Sequence, residues 1–133
     1  MFNVISIKQA FAGHARQAGM LAASCQSGSY LGRFVVVVDD DIDPTNLFEV
    51  VWAMCTRCDP VEDIDFIRKA WSGPLDPRIP SGITTNSRAV IMACRPFERI
   101  GAFPPVAEAS PELRAKVAAK FKDVLAKLES RTQ

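Results

Sequence analysis

The chain has 133 residues, 48% of them hydrophobic, with 16 basic and 15 acidic side chains and a formal net charge of +1. A single domain of that length hides about two-thirds of the surface its unfolded chain exposes, so neither disulfides nor a structural metal are required. The balanced charge argues against a broad basic surface for nucleic acid or anionic lipid, and no apolar run reaches the roughly 18 residues of a membrane span.

The N-terminal run MFNVISIK lacks the charged and apolar regions of a signal peptide, so a cytoplasmic protein is expected. Phe2 to Lys8 sets Phe2, Val4 and Ser6 against Asn3, Ile5 and Ile7, the alternation of a strand. From Ala15 to Ser27, the small residues Ala15, Ala18, Leu21, Ala22 and Cys25 fall on one helical face, with Gly28 as the stop. A face of small side chains predicts close approach to its neighbour.

Phe34 to Val38 is an unbroken apolar run, as expected of a strand covered on both sides. Asp39, Asp40 and Asp41 end it. Asp43 is placed to cap a helix with Pro44 in its first turn, and Leu47, Val50, Val51 and Met54 form its predicted stripe. Cys55 and Cys58 form a C-x-x-C at the end of that helix, whereas a redox pair opens one. Cys25 and Cys94 stand alone, so the paired spacing of a zinc site is missing. All four read as small apolar residues in a reducing compartment.

Asp65 to Lys69 reads as a further short strand, from Ile64, Phe66 and Ile67. Trp71 to Ser87 carries Gly73, Pro74, Pro77, Pro80 and Gly82 and is predicted to be one extended loop, of the kind that is functional or covers a partner. Ala89 to Ala93 is a short apolar piece, strand or helix. Ser110 and Pro111 open a last helix with an apolar stripe of Leu113, Val117, Phe121, Val124, Leu125 and Leu128. The expected fold is therefore α/β, a single domain over 1–133 with a βαβαβ-type mixed or parallel sheet, packed helices and a C-terminal helix.

The segments ISIKQAFAGHARQAG, YLGRFVVVVDDDIDPTNLFEVVWAMCTRCDPVEDID and NSRAVIMACRPFERIGAFPP resemble the C-terminal domain of the UbiD family. Its members are non-oxidative, reversible decarboxylases of aromatic and unsaturated acids that use prenylated flavin mononucleotide and a divalent metal. They are several times longer than this chain. The resemblance implies that the flavin, the metal and a Glu–Arg–Glu proton network belong to an N-terminal part without counterpart here. Met1 is accordingly expected to begin a truncated reading frame or an excised piece. This chain alone is expected to bind no cofactor, to carry no catalytic or metal-ligating residue, and to serve subunit association, as a homodimer or higher homo-oligomer, and one wall of the active-site cleft.

Two site assignments follow from the same resemblance. Arg33 stands where members often carry a lysine that reaches the flavin phosphate, and a guanidinium is a planar fork where lysine is a point charge. Gly73, Pro74 and Leu75 align with a loop that contacts the substrate ring; related enzymes can have an aromatic residue at the Gly73 position. The acids from Asp39 to Asp43 are expected to be structural, and His14, the single histidine, a capping or packing residue. Arg57 and Arg95 are left to pair with those aspartates or to cross an interface. Two alternatives stay open: a free-standing interaction subunit, and a small-molecule-binding α/β domain using the Asp39–Asp43 strand end.

Overall fold

The computed structural model describes residues 1–122. Met1–Phe103 forms one compact unit and Pro104–Gln133 a second. The first unit holds β1 (Phe2–Ile7), α1 (His14–Ser24), the four-residue α2 (Gln26–Ser29), β2 (Phe34–Asp39), α3 (Leu47–Arg57), β3 (Ile64–Trp71) and β4 (Thr85–Ala93), followed by a 3-10 turn at Phe97–Ala102.

The sheet order is β1-β2-β4-β3. β1 pairs with β2 in parallel from Phe2↔Phe34 to Ile7↔Asp39, and β2 with β4 in parallel from Phe34↔Ala89 to Val38↔Ala93. β3 runs antiparallel to β4 at the edge, with an irregularity between Ile67 and Ala70 where Lys69 takes φ 54°. The expected mixed α/β sheet is present. The apolar piece at Ala89 to Ala93, open between strand and helix, is the inner end of a central strand. The proline-rich loop is shorter than expected, because β3 runs to Trp71 and β4 starts at Thr85.

Valines 35 to 38 are all buried because helices cover both faces of β2. Val35 and Val37 pack with Ala15, Ala23, Val90 and Met92 on the α1 side. Val36 and Val38 pack with Val50, Ala53, Ile91 and Ala93 on the α3 side. β1 contributes to both layers, Val4 to the second and Ile5 and Ile7 to the first.

α1 turns only part of the expected face inward: Ala15 and Ala22 meet the sheet layer, and Leu21 does not. Ala15, Gly19 and Ala23 are buried, while Leu21 is 69% exposed. Closeness decides this, not hydrophobicity: a Cβ on Gly19 would lie 2.5 Å from Val90 Cγ1. The row with the smallest side chains meets the sheet. The helix also stops earlier than expected, at Ser24, with Cys25 extended before α2 begins. Gly28 serves packing rather than termination, since a Cβ there would sit 2.0 Å from the Ala22 carbonyl oxygen.

α3 starts later than expected. Asp43 accepts from the amide and hydroxyl of Thr45 in a local turn, at 2.8 and 2.7 Å, and leaves capping to Asn46, whose Oδ1 accepts from Phe48 N at 3.1 Å. Glu49, three residues on, accepts from the Asn46 side chain and from Asp43 N, both at 2.9 Å, so the box is built around Asn46. Of the expected stripe Val50 is buried and Met54 half-buried, whereas Leu47 and Val51 face outward.

In the second unit α4 spans Pro111–Lys120, with Ser110 Oγ accepting from Leu113 N at 3.2 Å. Leu113, Val117 and Phe121 are exposed; Val124, Leu125 and Leu128 lie outside the described residues. No described helix is long and apolar enough to cross a membrane.

Candidate functional site

Two polar clusters stand at opposite ends of the parallel strands. At the carboxyl end, Asp39 closes β2 and is 1% exposed. Its Oδ2 accepts from Arg57 Nη1 at 2.9 Å, Arg95 N at 2.8 Å and Arg95 Nε at 3.1 Å, and its Oδ1 accepts from Gln9 Nε2 at 2.8 Å. Arg57, brought in by the last turn of α3, also forks onto both oxygens of Asp41 at 2.7 and 2.8 Å. The Trp52 ring covers its guanidinium at 5.2 Å.

The cluster therefore ties the ends of β1, β2, β4 and α3 together by ion pairing. The Arg57 guanidinium holds the Asp41 carboxyl below its ordinary range. Of the two roles left open for Arg57 and Arg95, pairing with the aspartates is the one the structure shows. Asp39 and Asp41 are held in ion pairs and Asp43 in a local turn, so Asp43 does not cap α3 as expected. No group of three or more metal-ligating side chains stands together among the described residues.

His14 packs and ties down the turn before α1, but it does not cap the helix, whose N-cap Gly13 has no side-chain hydrogen bond. Its ring stacks on Phe11 at 4.6 Å, and Nδ1 accepts from Ala10 N at 3.2 Å. The four cysteines are free thiols.

At the amino end, Arg33 enters β2 and pairs with Asp76 of the 72–84 loop. Asp76 is buried; it also accepts from Arg78 N at 3.0 Å and from Asn86 Nδ2 at 3.4 Å, and the Arg33 guanidinium depresses its pKa. Asn86 Nδ2 donates to the Gly32 carbonyl at 2.9 Å, and Arg88 Nε to Asn86 Oδ1 at 3.3 Å. This chain of contacts, Arg33–Asp76–Asn86–Arg88, runs under the loop and fixes its middle to two central strands. Beside it an open cleft of ≈ 270 Å³ presents Arg33, Arg78, Thr85 and Ser87.

The loop itself presents Pro74 and Leu75 to solvent, Leu75 at 72% exposure. Gly73 is buried against Tyr30, and a Cβ there would lie 2.2 Å from the ring. The space an aromatic residue would occupy at position 73 is taken by an aromatic residue from elsewhere in the chain. Arg33 and Gly73–Leu75 are thus joined through Asp76.

Residues 2–93 match the model of the 3-octaprenyl-4-hydroxybenzoate carboxy-lyase C-terminal domain. The chain belongs to the UbiD family. Its UbiD-type domain is 40% identical over 85 residues to the phenolic acid decarboxylase of Bacillus subtilis, covering 63% of this chain and 18% of that protein's length. Among solved structures it resembles the closed form of Sedimentibacter hydroxybenzoicus vanillic acid decarboxylase, with a TM-score of 0.67 and 28% identity over 92% of this chain and 26% of that one. It also resembles the UbiD-class enzyme HmfF of Pelotomaculum thermopropionicum in complex with FMN, with a TM-score of 0.69 and 30% identity over 82% of this chain and 24% of that one. An evolved dimeric HmfF in complex with prFMN matches with a TM-score of 0.55 and 27% identity, over 79% of this chain and 19% of that one. The chain thus spans about a fifth to a quarter of the relatives it matches.

Tyr30, Asp76, Asn86 and Arg88 escape a reading of the sequence alone. The one signal for the last two is their spacing: Asn86 and Arg88 take alternate positions with buried Val90 and Met92, so polar groups sit on an inward face.

Proposed function

We propose that this chain is the subunit-associating, cleft-closing C-terminal domain of a prenylated-FMN-dependent, non-oxidative (de)carboxylase of aromatic or unsaturated acids. The observation that carries the reading is the extent of the match. Some four-fifths or more of the chain superposes on a quarter of the vanillic acid decarboxylase and HmfF, and the family model covers residues 2–93. The flavin ring, the metal and the proton-handling network are assigned to a separate N-terminal part.

Within this reading Arg33 and Arg78 meet the cofactor phosphate, while Gly73, Pro74 and Leu75 form the wall toward the substrate. The fit is to the phosphate end alone. The cleft beside Arg33 offers two guanidiniums and two hydroxyls, a donor set suited to phosphate oxygens, and Asp76 neutralises part of the charge. Bond cleavage belongs to the flavin when bound; this domain positions and excludes water. Its free cysteines suit the cytoplasm.

The test is complementation. The 133-residue chain is co-expressed with the flavin-binding part of the Bacillus subtilis phenolic acid decarboxylase lacking its own C-terminal domain. Co-purification and restored decarboxylation of a phenolic acid are expected. Two folded partners that neither associate nor turn over the acid would overturn the reading.

A further inference from the structure

The sheet ends at β1 on one side and at β3 on the other, and the two edges differ in kind. β3 carries Asp65, Arg68 and Lys69, the last at φ 54° inside the irregularity between Ile67 and Ala70. Charged side chains and a distorted ladder keep another strand off an edge. β1 has neither device. Phe2–Ile7 reads FNVISI, with no charge, proline or glycine, and pairs with β2 in unbroken register. The Met1 ammonium ahead of it is turned back onto the Leu31 carbonyl at 2.6 Å.

The ladder fixes where each backbone group of β1 points. The Met1 carbonyl accepts from Phe34 N at 3.3 Å, so it faces β2. Successive residues of a strand turn their N–H and C=O groups to opposite sides. Asn3, Ile5 and Ile7 therefore also face β2, and Phe2, Val4 and Ser6 present theirs to the free edge. Among the described residues, no backbone hydrogen bond outside the ladder uses those groups. The polar side chains leave the edge clear as well: Asn3 Nδ2 donates to the Gly28 carbonyl at 3.4 Å and Ser6 Oγ to the Asp39 carbonyl at 3.3 Å.

Such an edge is a template for a further strand, and its own geometry selects the strand. A two-fold axis through the sheet beside Val4 sets Val4 opposite Val4 of a second copy, and Phe2 opposite Ser6 of that copy. Every residue so paired is edge-facing, so each pair exchanges both of its N–H···O bonds, as an antiparallel ladder requires. The same axis keeps each sheet face continuous across the join. Because the strand holds no charged side chain, self-pairing opposes no like charges. Phe2 and Phe34 are register partners, 45% and 46% exposed, so apolar surface runs up to the axis. We propose that β1 pairs antiparallel with β1 of a second copy of this chain, joining two sheets into one across that axis. The proposal rests on the subunit-associating role above and gives that role a defined contact.

Amide exchange and sedimentation of the 15N-labelled full chain are measured together over a range of concentrations. At about ten times the dissociation constant, exchange at Val4 and Ser6 is expected to slow by about tenfold, while Ile5 and Ile7, already bonded to β2, stay protected throughout. Val4→Pro removes an edge-facing N–H and no ladder bond, a change that edge strands tolerate. It is expected to abolish the concentration dependence at Ser6 with the circular dichroism unchanged. Phe2→Pro, at the first strand position, is expected to do the same and carries the test if Val4→Pro unfolds. An associated chain whose Val4 and Ser6 amides exchange freely would overturn the edge contact and leave subunit association standing. A strict monomer would overturn both. Undiminished protection of Ser6 in a folded proline variant would also overturn the edge contact.

Discussion

Asp39 accepts three hydrogen bonds through one carboxylate oxygen and one through the other, while hidden from solvent. Removing its charge leaves Arg57 buried, with Asp41 as its remaining carboxylate partner. Breaking such a pair costs about 3–5 kcal/mol, so Asp39→Ala is expected to lose that much in urea unfolding, while replacing Asp39 and Arg57 together with apolar residues loses less. The carboxyls with depressed pKa fix the acid side of the stability profile. Asp41, beside Arg57, and Asp76, beside Arg33, both lie below the ordinary 3.8 when folded. The folded state then holds fewer protons than the unfolded one, so their contribution is complete above the unfolded value and is lost as pH falls through the folded values. Urea midpoints measured from pH 6 to pH 2 are expected to hold level to about pH 5 and then decline. Thiol chemistry sorts by surroundings as well. Hydrogen bonds from Ser27 and the Gly28 backbone lower the Cys25 pKa, whereas burial pushes Cys58 up and Cys94 much further up. Labelling by an alkylating reagent at neutral pH is expected at Cys25 before Cys58, with Cys94 modified only on unfolding.

Among the elements, α1 shows how little hydrophobicity decides when a helix must lie close to a sheet. Gly19→Ala is expected to destabilise the domain by about 1–3 kcal/mol, the usual result of overpacking, because the new methyl meets Val90. Leu21→Lys, on the outer face, is expected to stay within about 0.5 kcal/mol of the parent; chemical denaturation separates the two. The sequence makes β2 legible because a run of valines fits only a strand covered twice, and α4 because Ser-Pro fixes its start. It conceals the inward face of α1, since steric approach depends on Val90, which is distant in the chain. It conceals the network under the 72–84 loop for the same reason: nothing local marks Asp76 until Arg33 and Asn86 are seen on either side. Gly73 was legible as a position of interest, but its neighbour was not. Gly73→Phe is expected to drive out Tyr30, and Tyr30→Ala to recover most of the lost stability, a coupling a double-mutant cycle measures.

At the scale of the whole molecule, the first unit carries more apolar surface than its own core consumes. α3 is apolar on both sides: Val50 and Ala53 face the sheet, while Leu47, Phe48, Val51 and Cys55 occupy an outward arc of about 100° at helical spacing. Phe48 is 81% exposed. An apolar stripe of that width ordinarily faces another surface, and here the sheet covers only the opposite side of the helix. The subunit-associating role proposed above gives that arc a use, since burying a side chain of this size contributes about 1.5–3 kcal/mol. If the arc is the contact, the isolated chain associates with itself in sedimentation, and Phe48→Glu shifts it toward monomer with no loss of thermal stability, because Phe48 makes no part of the core. A parent chain that sediments as a strict monomer at high concentration would remove subunit association from the reading. An associated chain indifferent to Phe48→Glu would keep association and move it to another surface, for which the exposed Leu113 and Val117 of α4 and Phe121 at its end are the next candidates.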